Sequence, residues 1–189
     1  MIRNFRLPLI LSTSCMCAFF AGHAMAADVY QGTVKFENAA GKEVTAKVTV
    51  TLNQAMPDAD RKAVVEQVKS DPNSAKSVLA GKPQLGVIEV EDRHVPIRYS
   101  YESALADGTN LTVISDEALG FIGGAKKDAP SKKGYDLTYV VIEIKNSGKG
   151  SGEIGPAAKI KWMASGAPAP VRYGNKVVWI ENVTKSTAP

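Results

Sequence analysis

Between Val44 and Asn53 the chain keeps a strict two-residue rhythm. Val44, Ala46, Val48, Val50 and Leu52 fall on one side of an extended backbone, and Thr45, Lys47, Thr49, Thr51 and Asn53 on the other. That period belongs to a strand with one face buried and one in water. A weaker version precedes it, with Tyr30, Gly32, Val34 and Phe36 opposite Gln31, Thr33, Lys35 and Glu37. Residues 38–42 carry the Asn and Gly of a turn, so the two runs read as a hairpin.

The period then lengthens. Pro57 suits a first helical turn, Asp58 and Asp60 complement the positive end of a helix dipole, and Val64, Val65 and Val68 recur at helical spacing. Asp71-Pro72 stops this helix. A shorter one runs from Asn73 or Ser74 to Ala80, with Gly81 as its stop. Val and Ser form helices poorly alone, so packing against a sheet must hold both.

From Leu85 onward the pattern is strand after strand. The expected strands are 85–91, 95–102, 110–115, 118–122, 137–145, 152–163 and 176–183, with 165–170 a loop and 186–189 a frayed tail. Ile97, Tyr99 and Tyr101 alternate with Arg98, Ser100 and Glu102, and Asp107-Gly108 marks a turn. Tyr139-Val140-Val141-Ile142 is apolar on both sides, as a strand covered on both faces requires, with the helical pair as one cover. Short turns favour antiparallel pairing, and eight or so strands curl or split. The fold class expected is α+β: a curved antiparallel sheet, a partly closed barrel or sandwich, with two short helices inserted after the second strand.

Residues 1–26 have the three parts of a cleavable export signal. Arg3 and Arg6 form a positive start, 7–20 an apolar stretch too short to span a bilayer, and Ala24-Met25-Ala26 a small-residue cleavage site. Cleavage leaves 163 of the 189 residues, 27–189, as a single β-rich domain outside the cytoplasm, periplasmic or secreted, with no transmembrane segment. It removes Cys15 and Cys17, the only cysteines, and so removes disulfides, thiolate zinc sites and thiol nucleophiles. It leaves 21 basic residues against 19 acidic ones. Only Arg61, Arg93, Arg98 and Arg172 among them are arginines. The one basic concentration, Lys126, Lys127, Lys132 and Lys133, sits in a Gly/Pro/Ser-containing stretch, so no nucleic-acid footprint is present.

Catalytic equipment is sparse. Gly150-Ser151-Gly152-Glu153-Ile154-Gly155 matches G-x-G-x-x-G, but Pro156 and a strand-like alternation follow where a dinucleotide site needs a helix N-terminus. It reads as a hairpin loop. His94, the one histidine after cleavage, reads as a turn residue between strands, since no nucleophile elbow accompanies it. One histidine and no D-x-D-x-D-G loop support no metal ligand set, and no motif asks for a cofactor. Glu143, inside an apolar run, is the best candidate for an acid-dependent envelope hydrolase. No catalytic residue is assigned. Tyr99, Tyr101, Tyr139, Trp162 and Trp179 lie on separate strands and would converge in a curved sheet, where they form core or line a ligand cavity.

The order of these motifs resembles a group of small exported bacterial proteins with no assigned activity. The matching stretches are 47–52, 58–69, Lys82-Pro83-Gln84-Leu85-Gly86, 110–121, and Val141-Ile142-Glu143-Ile144 through Gly148-Lys149-Gly150-Ser151-Gly152, within residues 45–182. The resemblance implies an exported fold and carries over no catalytic residue. Together these features point to a non-enzymatic exported protein that binds an apolar small molecule or a cell-envelope component. The alternatives are the Glu143 hydrolase and an accessory subunit that pairs through a sheet edge. Expressed with its own leader in an exporting host, the protein should give an intact mass that begins at Ala27. A mass that retains Met1 would refute cleavage.

Overall fold

The computed structural model describes residues 26–37, 42–120, 134–163, 167–172 and 177–188. The export signal up to residue 25, the 38–41 turn residues and the 126–133 lysines lie outside them. In chain order the elements are β1 (Ala27–Glu37), β2 (Glu43–Leu52), α1 (Asp58–Ser70), α2 (Ala75–Ala80), β3 (Gly86–Val90), β4 (Arg93–Ile97), β5 (Tyr99–Leu105), β6 (Gly108–Ser115), β7 (Leu137–Lys145), β8 (Lys149–Trp162), β9 (Pro168–Arg172) and β10 (Val178–Ala188). One sheet contains every strand, in the order β4-β3-β2-β1-β10-β8-β7-β6-β5, with β9 added on β8. Every pairing among the described residues is antiparallel. The sheet curls into a half-barrel with the two helices inserted after β2, the α+β class expected.

The register shows how the curl is filled. Ala46, Val34, Ile180, Gly152, Ile142, Leu111 and Glu102 succeed one another across seven strands on a single row. Their face also carries Val48, Val50, Ile88, Val95, Ile97, Val113, Val140 and Ile154, all buried in one cluster. This is the inner face. Each fully buried aliphatic side chain contributes about 1.5–3 kcal/mol through removal from water. On β2 and β3 the opposite face is solvated, with Thr45, Lys47 and Glu89 exposed. On β5–β8 the outer face is partly buried too. Tyr139 and Val140 are neighbours on opposite faces of β7, and both are buried. The doubly apolar Tyr139–Ile142 run therefore does mark a strand covered on both sides.

Two structures supply the outer cover. Helix α1 packs against β5 and β8. The other is β8 itself: its register with β7 shifts between Leu137 and Tyr139, and its last residues bring the Trp162 ring edge-on to Tyr99, centroids 5.1 Å apart. Gly152, on the way to that shift, has no room for a side chain because a Cβ would strike the Val141 carbonyl of β7. The G-x-G-x-x-G run is thus part of β8, not the loop. The hairpin turn is 146–148, where Gly148 has φ 78°.

Other boundaries also move. No strand forms over 118–120 (121 and 122 lie outside the described residues). There the Leu119 N–H donates to Thr138 Oγ1 at 2.8 Å, a side-chain tie in place of a ladder. Pro168–Arg172, inside and just beyond the expected loop, is strand β9. The expected frayed tail is strand up to Ala188, which pairs with Ala27. His94 is exposed on β4 opposite Glu89, in a strand and not in the turn; Glu91 and Asp92 make the turn, with Glu91 at φ 55°.

The expected strand 95–102 breaks at Arg98. Ile97 pairs with Gly86 of β3 on one side, whereas Tyr99 pairs with Ile114 of β6 on the other. Followed around the register, Ile97 and Ser100 both face inward, so Tyr99 and Tyr101 face outward and do not share the side of Ile97. Arg98 anchors the break. Its backbone N–H donates to the Ile114 carbonyl at 2.9 Å. Its guanidinium donates to Asp116 Oδ1 and to the Lys82 carbonyl, each at 3.1 Å. Asp116 is nearly buried, so removal of the arginine leaves a carboxylate without its partner. Arg98→Ala should cost about 2–3 kcal/mol in urea unfolding, less than a fully buried pair because the arginine is partly exposed. The double variant Arg98→Met with Asp116→Asn should recover part of that loss, and equal stabilities for wild type and Arg98→Ala would refute the anchor.

Candidate binding surface

The five aromatics fall on one face of the sheet, and it is the outer one. Tyr101, Thr112, Val141, Glu153 and Trp179 form a single row across β5, β6, β7, β8 and β10. Tyr99, Ile114, Tyr139 and Gly155 form the next row. Trp162 joins through the bend of β8. They are brought together on one surface, but the surroundings of each differ.

Tyr99 is fully buried, with Trp162 against its ring. Burial pushes its phenol well above the usual tyrosine range, and the charge of Arg61 pulls the other way. Its hydroxyl and the Trp162 indole nitrogen are buried without a hydrogen-bond partner. Tyr101 is half-buried under α1, whose Arg61 guanidinium lies 4.8 Å from its ring centroid. The same guanidinium donates to Asp58 Oδ1 at 2.7 Å, so the first turn of α1 holds it over the ring. The Tyr139 ring is buried, and its hydroxyl donates to Glu153 Oε1 at 3.1 Å.

Trp179 is different. It is 57% exposed, the most exposed large hydrophobic residue among those described. An indole on a sheet face costs solvation that an ordinary strand residue avoids, so it marks a surface suited to contact. Polar groups border it. Glu153 stands opposite on β8, and one row nearer the hairpin come Ser151, Glu143 and Asn110. Glu143, Lys145, Lys149, Gly150 and Ser151 line a shallow open depression of about 250 Å³. A β-bulge in β10 at Asn182, φ 54°, lies between the Ile180–Gly152 and Val183–Gly150 pairs, and just before it Glu181 pairs with Lys35 at 3.1 Å.

All five aromatics are legible in the sequence as a set, but their relative exposure is not. The hidden signals were the break at Arg98 and the bend of β8, both set by tertiary pairing. Glu153 is visible in the sequence only as one of several strand carboxylates, with Glu89, Glu91 and Glu143, and no local pattern marks Ser151, Lys145 or Lys149 as site residues. Glu143 is exposed, which removes the burial that made it a candidate acid. No group of three or more His, Cys, Asp or Glu arranged to hold a metal occurs among the described residues, and no helix there is long and apolar enough to cross a membrane.

No protein-family model matches the chain, and neither does any curated protein or solved structure.

The two ends of the aromatic set should respond oppositely to truncation. Tyr99→Ala removes a fully buried ring and should cost about 3–5 kcal/mol. Trp179→Ala should change stability by less than about 0.5 kcal/mol. Denaturant melts of both variants check this, and a large loss at Trp179 would mean that it is structural.

Proposed function

We propose that this is an exported protein that works by binding rather than by chemistry, and that the outer face of β5–β6–β7–β8–β10 is its docking surface. The observation that carries the reading is Trp179, exposed on the same register row as Tyr101, Val141 and Glu153. The inner face supports it indirectly. Aliphatic side chains fill the described part of the curl, so an apolar ligand would also have to use the outside. A leader at residues 1–26 fits work outside the cytoplasm, where a cell-envelope component is the natural partner.

Trp162→Phe leaves Trp179 as the sole indole, because the chain has two tryptophans. Added envelope extract should shift the emission of this variant to the blue and shield it from acrylamide. The same extract should raise the Tm of the wild-type protein but not that of Trp179→Ala. An emission spectrum and Tm unchanged at saturating extract would overturn the reading.

A further inference from the structure

We infer that the occupant of this surface is a saccharide, bound across Trp179 and the depression beside it. The inference rests on the outer face being the docking surface and names the chemistry that it would take. Three features of that face decide between ligand classes.

The first is charge. Glu143 and Glu153 lie within a row or two of Lys145 and Lys149 on the same face. A polyanion would meet the carboxylates and a polycation the ammonium groups. A lipid or other apolar ligand would bury all four without partners, which is costly. A neutral polyhydroxylated chain suits both signs, because each hydroxyl donates to a carboxylate and accepts from an ammonium group.

The second is the indole. An aromatic ring is negative over its face, so the polarised C–H groups on one side of a sugar ring are attracted to it. Tyr99, Tyr101, Tyr139 and Trp162 cannot serve in this way, since Trp162, Arg61 and the fold itself cover them. Trp179 can. The Glu153 carboxylate opposite it is oriented by the Tyr139 hydroxyl at 3.1 Å, so an acceptor is held in place before any ligand arrives.

The third is shape. The depression of about 250 Å³ is open and smaller than the roughly 300–1,000 Å³ of an enclosed small-molecule pocket. Strand and row spacings place it on the order of 10 Å from Trp179. An extended oligosaccharide spans that distance and leaves its outer side in water.

The test uses emission of the Trp162→Phe protein titrated with maltotetraose, cellotetraose, chitotetraose, a protease-treated envelope polysaccharide fraction and sodium dodecanoate. At least one saccharide probe should bind, with a Kd on the order of 0.1 mM for so open a site. By calorimetry on the wild-type background, Trp179→Ala should weaken that probe at least tenfold and Glu153→Gln roughly threefold, with Tm unchanged in both. Binding of dodecanoate but of no saccharide would overturn the sugar and leave the docking surface standing. So would an effect of whole extract that protease treatment destroys, which would identify a protein partner. No response to any probe or to whole extract would overturn the sugar and the surface together.

Discussion

The sheet can curl only because one stretch of chain belongs to both of its ends. β4 closes the path beyond β3, β5 closes it beyond β6, and Arg98 alone separates them. An edge strand normally leaves a row of unpaired backbone groups. Here the two terminal strands run on into each other, and the exchange of partners takes place across a single residue. The backbone N–H of Arg98 is already bonded to β6 while the Ile97 carbonyl still accepts from Leu85 on the way into β3. The ion pair with Asp116 holds the break at its angle. Because the side-chain parity shifts there, the aliphatic half of the strand faces the core and the aromatic half faces out.

That shift explains how far the sequence could be read. A period of two in 44–53 locates a strand and its buried side without any knowledge of the partner strands, and the helical spacing of Val64, Val65 and Val68 is equally local. The whole order of elements up to β3 follows from such patterns. Ile97, Tyr99 and Tyr101 show the limit. Their alternation is perfect as text, yet the chain changes sheet partners inside it. β10 beyond Val183 shows a second limit, since its Thr, Lys and Ser residues have no apolar face and become strand only because Ala27–Gln31 of β1 pairs with them. Of the candidate surface, the aromatic residues were legible as a set. Which of them stays uncovered depends on α1 and on the bend in β8, and no local pattern encodes either.

Double burial of β7 links the fold to the surface. To cover the outer face over Tyr99 and Tyr139, the structure uses α1 and the far end of β8, both of which lie toward one side of the sheet. The cover ends before β10. Glu153, Val141 and Trp179 therefore occupy the margin between a packed outer layer and open solvent, with rigid ladder on both sides of them. A surface placed there gains the precision of a sheet without being sealed by it.

The β9 edge favours recognition through the face over strand addition at that end of the sheet. Among the described residues β9 pairs only with β8, which leaves its far side without a strand partner there. The Met163 N–H donates to the Ala167 carbonyl at 2.9 Å, which makes that pair hydrogen-bonded and sets the alternation along β9. Ala169 and Val171 then point their backbone groups at β8, and positions 168 and 170 point away from it. Both of those positions are proline, which has no N–H to donate. An incoming strand would find carbonyl groups there without the donors that complete a ladder. A partner that docks through an added strand is thus refused at this edge, while the same sheet presents an indole and paired charges on its outer face.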